Sequence, residues 1–169
     1  MELWDLYDKD RRPLGRTHVR GTPFGSGEFH LVSSILTVNR KGELLLTLRH
    51  PDKKDYANLW ENTAGSVLAG ETSLMGAVRE LFEETGIRVS GEELTLLRTQ
   101  REHTAFVDTY LAQKSPQIEE LVMQEGETAA AKWVTLSQLD DMISKGELAR
   151  PVARRMRQMH VELEQLLYG

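Results

Sequence analysis

The stretch from Gly65 to Ile87, GSVLAGETSLMGAVRELFEETGI, predicts the element around which the rest of the chain is arranged. Its apolar residues recur at the i, i+3, i+4, i+7 and i+8 spacing of one helix face, at Leu74, Ala77, Val78, Leu81 and Phe82. Thr72 or Ser73 is suited to cap the start of this helix, and Gly86 stands where a left-handed residue is favoured. The pattern therefore predicts a helix over residues 73–85.

Extended segments and further helices are predicted on both sides of this helix. Alternating or β-rich runs predict strands at 3–8, 14–20, 30–38, 43–49, 60–68, 94–100, 105–111 and 130–134. Two more helices are predicted at 136–144 and at about 151–167, where Pro151 opens the segment. Strands on both sides of a central helix predict a mixed α/β (α+β) sandwich that forms one domain over 1–169.

Composition excludes several classes of protein. The 21 Lys and Arg against 26 Asp and Glu give a net charge of −5, which argues against extended nucleic acid as a partner. Because there is no cysteine, disulfides, thiolate zinc sites and a cysteine nucleophile are excluded. No run reaches the ~18 apolar residues of a membrane span, and the first residues do not resemble a signal peptide. The expectation is a cytoplasmic protein that does not enter the membrane.

Three carboxylates crowd one face of the predicted helix. Glu80, Glu83 and Glu84 share an arc of about 100° at helical spacing. Like charges at i, i+4 cost roughly 0.2–0.5 kcal/mol, and glutamate near a helix C-terminus also opposes the helix dipole. A hard divalent cation such as Mg²⁺ would reverse the sign of both effects. The ordinary alternative is a solvated acidic face.

These carboxylates belong to a set of nine residues at fixed intervals. The set is Gly65, Glu71, Arg79, Glu80, Leu81, Glu83, Glu84, Gly86 and Ile87. It matches at every position the signature of the Nudix hydrolase superfamily, and the chain therefore resembles that family. The resemblance implies an α/β/α sandwich with a mixed β-sheet and one or more bound Mg²⁺ or Mn²⁺ ions.

The same resemblance implies roles for the motif residues. Glu80, Glu83 and Glu84 match the carboxylates that hold the metal, and one of them or a glutamate of another loop deprotonates the attacking water. Gly65 allows close backbone approach, and its carbonyl is a further candidate ligand. Arg79 is expected to pair with a motif glutamate, in the first place Glu71. Gly86 supports the second loop of the motif.

The flanks of the motif are similar to the isopentenyl-diphosphate isomerase branch of the superfamily. The similar segments are 44–49, 53–54, 59–63, 125–127 and 132–134. That branch carries its catalytic cysteine five residues after a tryptophan, and here Trp60 is followed at that distance by Gly65. A histidine ligand of the branch is replaced by Val67. The combination indicates an isomerase-like scaffold that performs hydrolase chemistry.

The isomerase resemblance also implies candidate residues outside the motif. Arg49 and Lys53 match residues that bind the diphosphate, and the alternative for both is ordinary surface charge. Glu127 or Glu125 matches a metal-binding glutamate and is a candidate distal carboxylate. His30 aligns with a metal ligand, although a structural role is favoured for a single histidine at a strand end.

The predicted function is Mg²⁺-dependent hydrolysis of a pyrophosphate bond in a small molecule, a nucleoside diphosphate derivative or a related diphosphate. An isopentenyl-diphosphate isomerase and a non-catalytic ligand-sensing module are the alternatives. The apolar stripe of the last helix, at 151–167, packs either on the core or against a second subunit. A homodimer is expected because homodimers are common.

Overall fold

The central helix of the motif, α1, runs from Ser73 to Thr85 in the computed structural model, which describes residues 1–169. The hydroxyl oxygen of Thr72 accepts a hydrogen bond from the backbone N–H of Met75 at 3.2 Å, so Thr72 is the N-cap. Gly86 adopts the left-handed conformation with φ 74°. The helix and both predicted caps are therefore confirmed. The prediction that Phe82 lies on the buried face of the helix was wrong. Phe82 is 42% exposed and lies beneath the guanidinium of Arg88 instead of facing the core.

The remaining elements follow the predicted order. The strands are β1 (Leu3–Tyr7), β2 (Pro13–Val19), β3 (His30–Val38), β4 (Leu44–Arg49), β5 (Trp60–Glu61), β6 (Thr63–Ser66), β7 (Leu94–Glu102), β8 (Ala105–Gln113) and β9 (Thr128–Val134). The helices after α1 are α2 (Leu136–Ser144), α3 (Arg150–Gln158) and α4 (His160–Tyr168). None of the four helices is both long and apolar enough to cross a membrane.

Strands β3 to β9 form one mixed sheet. Strand β3 lies between β6, to which it is antiparallel, and β8, to which it is parallel over its full length. Strand β4 lies between β5 and β9 and is antiparallel to both. The predicted extended segment 60–68 is thus split, because β5 pairs with β4 while β6 pairs with β3. The buried Asn62 stands at the switch, and its amide donates to the hydroxyl of Ser34 at 2.8 Å.

Helices cover both faces of this sheet. Alternate residues of β3 and β4 point to opposite sides, so Ile35 and Leu45 pack against α1 in one buried cluster. Leu36 and Leu44 pack against α2, α3 and α4 in a second, larger cluster. This alternation is the reason that the chain forms an α/β/α sandwich with a mixed sheet, as predicted.

The predicted helix at about 151–167 is two helices instead of one. Arg150–Gln158 and His160–Tyr168 meet at Met159, whose φ of −105° and ψ of 13° lie outside the regular helix. The change of direction keeps the apolar stripe on the sheet, because Met159 and Leu163 are almost completely buried in the larger core cluster. Of the two predicted alternatives, the apolar stripe therefore takes the first: it packs on the core of its own chain.

Strands β1 and β2 form a separate hairpin beside the sheet. The backbone N–H of Arg20 donates to the carbonyl of Glu2, which extends the pairing by one residue on each strand. We call residues 2–20 the N-terminal hairpin. The backbone N–H of Ala69 donates to the carbonyl of Leu3 at 2.8 Å. The hairpin is thus attached to the loop that precedes α1.

Candidate active site

A cavity of about 800 Å³ brings the candidate residues of the sequence together. Its walls are formed by β6, the carboxylate face of α1, the loop after β4, the segment before β9 and the N-terminal hairpin. The candidate residues that line it are Arg49, Lys53, Gly65, Arg79, Glu80, Glu83, Glu84 and Glu127. Glu71 and Gly86 do not line the cavity. Glu71 pairs with Arg79, and Gly86 is the C-cap of α1.

Arg79 organises the motif carboxylates. Its Nε and Nη2 donate to the two carboxylate oxygens of Glu71 at 2.8 and 3.0 Å, which is the pair that the resemblance implies. Its Nη1 donates to Glu80 at 2.7 Å and to Glu83 at 3.2 Å. The hydrogen bonds from Arg79 hold the pKa of Glu71 below its usual value. Because Arg79 also donates to the carbonyl of Ser66 at 3.1 Å, one side chain connects the loop, the helix and β6.

Gly65 lies directly against the carboxylate of Glu80. A Cβ atom added at Gly65 would be 2.1 Å from Cδ of Glu80, far inside van der Waals contact. Arg79 holds this carboxylate in place through a hydrogen bond of 2.7 Å. Any side chain at position 65 would therefore displace Glu80, which explains in physical terms why glycine stands here.

Glu84 carries an unsatisfied carboxylate oxygen inside the protein. Its Oε2 is buried and has no hydrogen-bond partner. Burial raises the pKa of Glu84 well above its usual value, and the negative charges of Glu61 and Glu80 raise it further. Burial likewise raises the pKa of Glu80. An uncompensated buried carboxylate is costly, and a bound cation would remove that cost.

The donor set suits a hard divalent cation. Carboxylate oxygens and a backbone carbonyl are the ligands that Mg²⁺ and Mn²⁺ prefer, and the orphaned oxygen of Glu84 offers one free lone-pair site. No group of three or more His, Asp or Glu side chains is arranged as a ready-made metal site. Arg79 engages both Glu80 and Glu83 and holds them beside the cavity. The chemistry of these donors fits a hard divalent cation.

The two candidate diphosphate-binding cations are both paired with carboxylates. Nη1 of Arg49 donates to both carboxylate oxygens of Glu61, at 3.0 and 3.1 Å. Nζ of Lys53 donates to Glu127. Sequence reasoning missed Glu61, whose pKa is raised by burial although Arg49 opposes the shift. A single glutamate after Trp60 carries no spacing signal that could have identified it.

The N-terminal hairpin supplies a wall of the cavity that the sequence did not reveal. Glu2, Trp4 and Arg20 line the cavity, as does Gln124 from the opposite side. His30 does not line it. Instead, its Nδ1 contacts the carbonyl of Thr104 at 2.9 Å and its ring stacks on Trp4 with centroids 4.4 Å apart. The structural role of His30 was therefore the better interpretation. Glu125 also lies outside the lining residues.

Comparison with known proteins agrees with this geometry. Residues 28–156 match the family model described as NUDIX domain. An uncharacterized Nudix hydrolase of Listeria monocytogenes is 38% identical over 87% of this chain and 88% of its own length. An isopentenyl-diphosphate Delta-isomerase of Pectobacterium atrosepticum is 35% identical, but over only 49% of this chain and 46% of the isomerase.

Solved structures share the fold. A Deinococcus radiodurans protein superposes with a TM-score of 0.75 over 91% of this chain and 98% of that one, at 21% identity. The NUDIX domain of Shewanella oneidensis NrtR, solved in complex with ADP-ribose, gives a TM-score of 0.62 over 79% of this chain and 87% of that one, at 19% identity.

Proposed function

Because the chain belongs to the Nudix family of hydrolases, which act on anhydride bonds, we propose that it cleaves the pyrophosphate bond of a nucleoside diphosphate derivative or a related small diphosphate. The observation that carries this proposal is the buried, unpartnered Oε2 of Glu84 beside Glu80 and Gly65 in one cavity. ADP-ribose in the related NrtR domain supports a substrate of this class.

In the proposed reaction, the motif carboxylates would bind Mg²⁺ or Mn²⁺. Glu80, Glu83 and Glu84, with the carbonyl of Gly65, are the residues that would bind it. The ion supplies positive charge that offsets the negative charge developing on the phosphate oxygens. Arg79 keeps Glu80 and Glu83 close to the cavity through its hydrogen bonds, so the ligands are already positioned before the substrate arrives.

The other side chains of the cavity bind and orient the diphosphate. Arg49 and Lys53 are assigned to the phosphate oxygens, for which they exchange their present partners Glu61 and Glu127. A carboxylate that faces the cavity accepts the proton of the attacking water; Glu127 is the candidate outside the motif, since release from Lys53 frees it for this role. Water then attacks phosphorus, and the P–O bond of the anhydride breaks.

The isomerase alternative is disfavoured by the geometry at Gly65. A catalytic cysteine at this position would collide with the carboxylate of Glu80. The neighbouring histidine ligand of that branch is replaced by Val67, which is 3% exposed and packs in a small apolar cluster. The cavity thus lacks both the thiol and the imidazole that isomerisation by that route requires.

Product analysis tests the proposed function. The protein is incubated with nucleoside di- and triphosphates, nucleotide sugars, dinucleotides and ADP-ribose, with Mg²⁺ and with EDTA. We expect products of cleavage between the two phosphorus atoms in Mg²⁺ and none in EDTA. Formation of dimethylallyl diphosphate from isopentenyl diphosphate, or tight binding of a diphosphate without turnover, would favour the isomerase or the sensing module instead.

A further inference from the structure

One wall of the cavity comes from outside the segment that matches the family. The match begins at residue 28. Glu2, Trp4 and Arg20, all in the N-terminal hairpin, lie before it and line the same cavity as Glu84. Residues that the family model does not describe therefore face the cavity in which the proposed chemistry takes place.

This wall is held firmly to the rest of the molecule. At one end, the backbone N–H of Gly70 donates to the carboxylate of Asp5 at 2.8 Å, beside the bond between Ala69 and Leu3. At the other end, Arg11 in the turn between β1 and β2 donates through Nη1 and Nη2 to the buried carboxylate of Asp108 on β8, at 2.7 and 2.5 Å. A wall fixed at both ends can act as a template for a ligand.

The wall presents the apolar side chain of Leu3 and two charged groups, Glu2 and Arg20. Trp4 is 8% exposed, because its ring lies in a group of four stacked aromatic rings with His18, Phe24 and His30. Its Nε1 donates to one carboxylate oxygen of Glu2 at 2.7 Å. Nη1 of Arg20 donates to the other oxygen at 2.9 Å. No open aromatic face is therefore available for stacking, whereas the ion pair of Glu2 and Arg20 lines the cavity.

We infer that Glu2 and Arg20 determine specificity by hydrogen-bonding hydroxyl groups of the part of the substrate attached to its second phosphate. This inference rests on the proposed function, because it assigns the group beyond the diphosphate that the motif side of the cavity holds. A carboxylate accepts from a hydroxyl and a guanidinium donates to one, so the pair matches a polyhydroxylated group. A flat group that depends on aromatic stacking finds no partner on this wall.

The test uses substrates that differ only in that group. ADP-ribose, ADP-glucose and UDP-glucose are each compared with the methyl ester of the same nucleoside diphosphate, and kcat and KM are measured in Mg²⁺. For at least one pair, we expect the sugar ester to be hydrolysed with a kcat/KM roughly tenfold higher or more, since a site built for hydroxyl groups rejects analogues that lack them. Glu2→Gln and Arg20→Gln should reduce that ratio towards one, mainly by raising KM for the sugar ester.

Arg16→Gln and Glu28→Gln are the matched controls. These two residues form the same kind of ion pair, between Arg16 in the hairpin and Glu28 after it, but do not line the cavity. We expect both controls to keep the wild-type ratio. Equal hydrolysis of methyl and sugar esters by the wild type, or unchanged discrimination in Glu2→Gln and Arg20→Gln, would overturn the inference alone. Absence of hydrolysis of every diphosphate would overturn the proposed function and the inference with it.

Discussion

At Gly65, the absence of a side chain determines which chemistry the cavity can hold. The carboxylate of Glu80 occupies the space in which a Cβ atom would lie. The same position carries the catalytic thiol in the isomerase branch that the flanking sequence resembles. In this backbone the carboxylate of Glu80 and a thiol at position 65 therefore compete for the same space, which the carboxylate occupies.

Gly65→Ala is expected to lower the rate of hydrolysis strongly while the protein still folds. The methyl group would push Glu80 out of its position against Arg79, and displacement of a catalytic group by about 1 Å can cost on the order of 100-fold in rate. Steady-state kinetics in Mg²⁺ measure the rate, and circular dichroism checks the fold. Wild-type kcat in a folded Gly65→Ala protein would show that the close contact has no catalytic importance.

The ion pair between Arg11 and Asp108 is the main stabilising contact of the hairpin turn. Asp108 is 2% exposed and also accepts from the hydroxyls of Ser73 and Thr99, at 2.5 and 2.7 Å. Burial alone would raise the pKa of Asp108, but the hydrogen bonds from Arg11, Ser73 and Thr99 outweigh burial and lower it. Arg11→Ala should reduce the free energy of unfolding by about 3 kcal/mol, because it leaves a buried charge without its partner. The neighbouring Arg12→Ala, which removes no ion pair, is the control for urea denaturation.

The pH dependence of stability gives the same pair a second test. The pKa of Asp108 is lower in the folded protein than in the unfolded chain. The contribution of Asp108 to the free energy of unfolding is therefore complete above the unfolded-state pKa of about 3.9, and it is lost as the pH falls through the lower pKa of the folded state. The free energy of unfolding should therefore fall on acidification below about pH 4, and Asp108→Asn should flatten this fall. Identical slopes for wild type and Asp108→Asn over that range would contradict the assignment.

At the scale of single residues, the sequence predicted the candidates that belong to the motif or to a segment that resembles the isomerase branch, among them Arg49 and Lys53. Glu80, Glu83 and Glu84 could be predicted as candidates because they repeat at helical intervals within the nine-residue motif. Glu61 and Arg11 could not, because each acts through a contact that only the folded chain creates. Arg11 and Asp108, for example, are 97 residues apart in the chain.

At the scale of elements, α1 shows why local signals were sufficient in the middle of the chain. Its capping residues, its apolar spacing and its terminal glycine agree on where the helix begins and ends, so its bounds were predicted even though Phe82 was placed on the wrong face. The segment 60–68 and the C-terminal helix were less predictable. Their breaks, at Asn62 and Met159, follow from which strand or core cluster each half contacts, and no local pattern encodes that choice.

The N-cap of α1 should be measurable as stability. Thr72→Ala removes the acceptor of the Met75 N–H and is expected to cost about 1 kcal/mol. Thr72→Ser retains the hydroxyl and should remain within a few tenths of a kcal/mol of the wild type. Urea denaturation of the three proteins checks this. An equal loss in Thr72→Ser and Thr72→Ala would show that the methyl group, and not the cap, is responsible.

At the scale of the whole molecule, the two faces of the sheet have different tasks. The face covered by α1 carries the cavity, and the face covered by α2, α3 and α4 provides the larger core cluster. The apolar stripe of α3 and α4 is buried in that core, so the homodimer expected from the sequence would need another surface. The homodimer stays a prediction.

Leu163→Ala separates core packing from dimerisation. Leu163 is completely buried in the larger cluster, so its truncation should cost about 2–5 kcal/mol, as for other buried leucines. Val161→Ala, on the exposed side of the same helix, should change little. Because the contact lies within one chain, the loss in Leu163→Ala should be the same at protein concentrations tenfold apart. A loss that depends on concentration would place the stripe between subunits.

Glu84 and its neighbours are proposed to form a metal-dependent catalytic site for diphosphate hydrolysis. The most direct measurement compares the hydrolysis rates of wild type, Glu84→Gln and the exposed control Glu92→Gln on the best substrate of the panel, in Mg²⁺, with the fold of each checked by circular dichroism. We expect Glu84→Gln to lose about 100-fold or more of the rate, as expected for a catalytic carboxylate, and Glu92→Gln to retain it. Wild-type turnover by a folded Glu84→Gln protein would show that Glu84 is not part of the catalytic site.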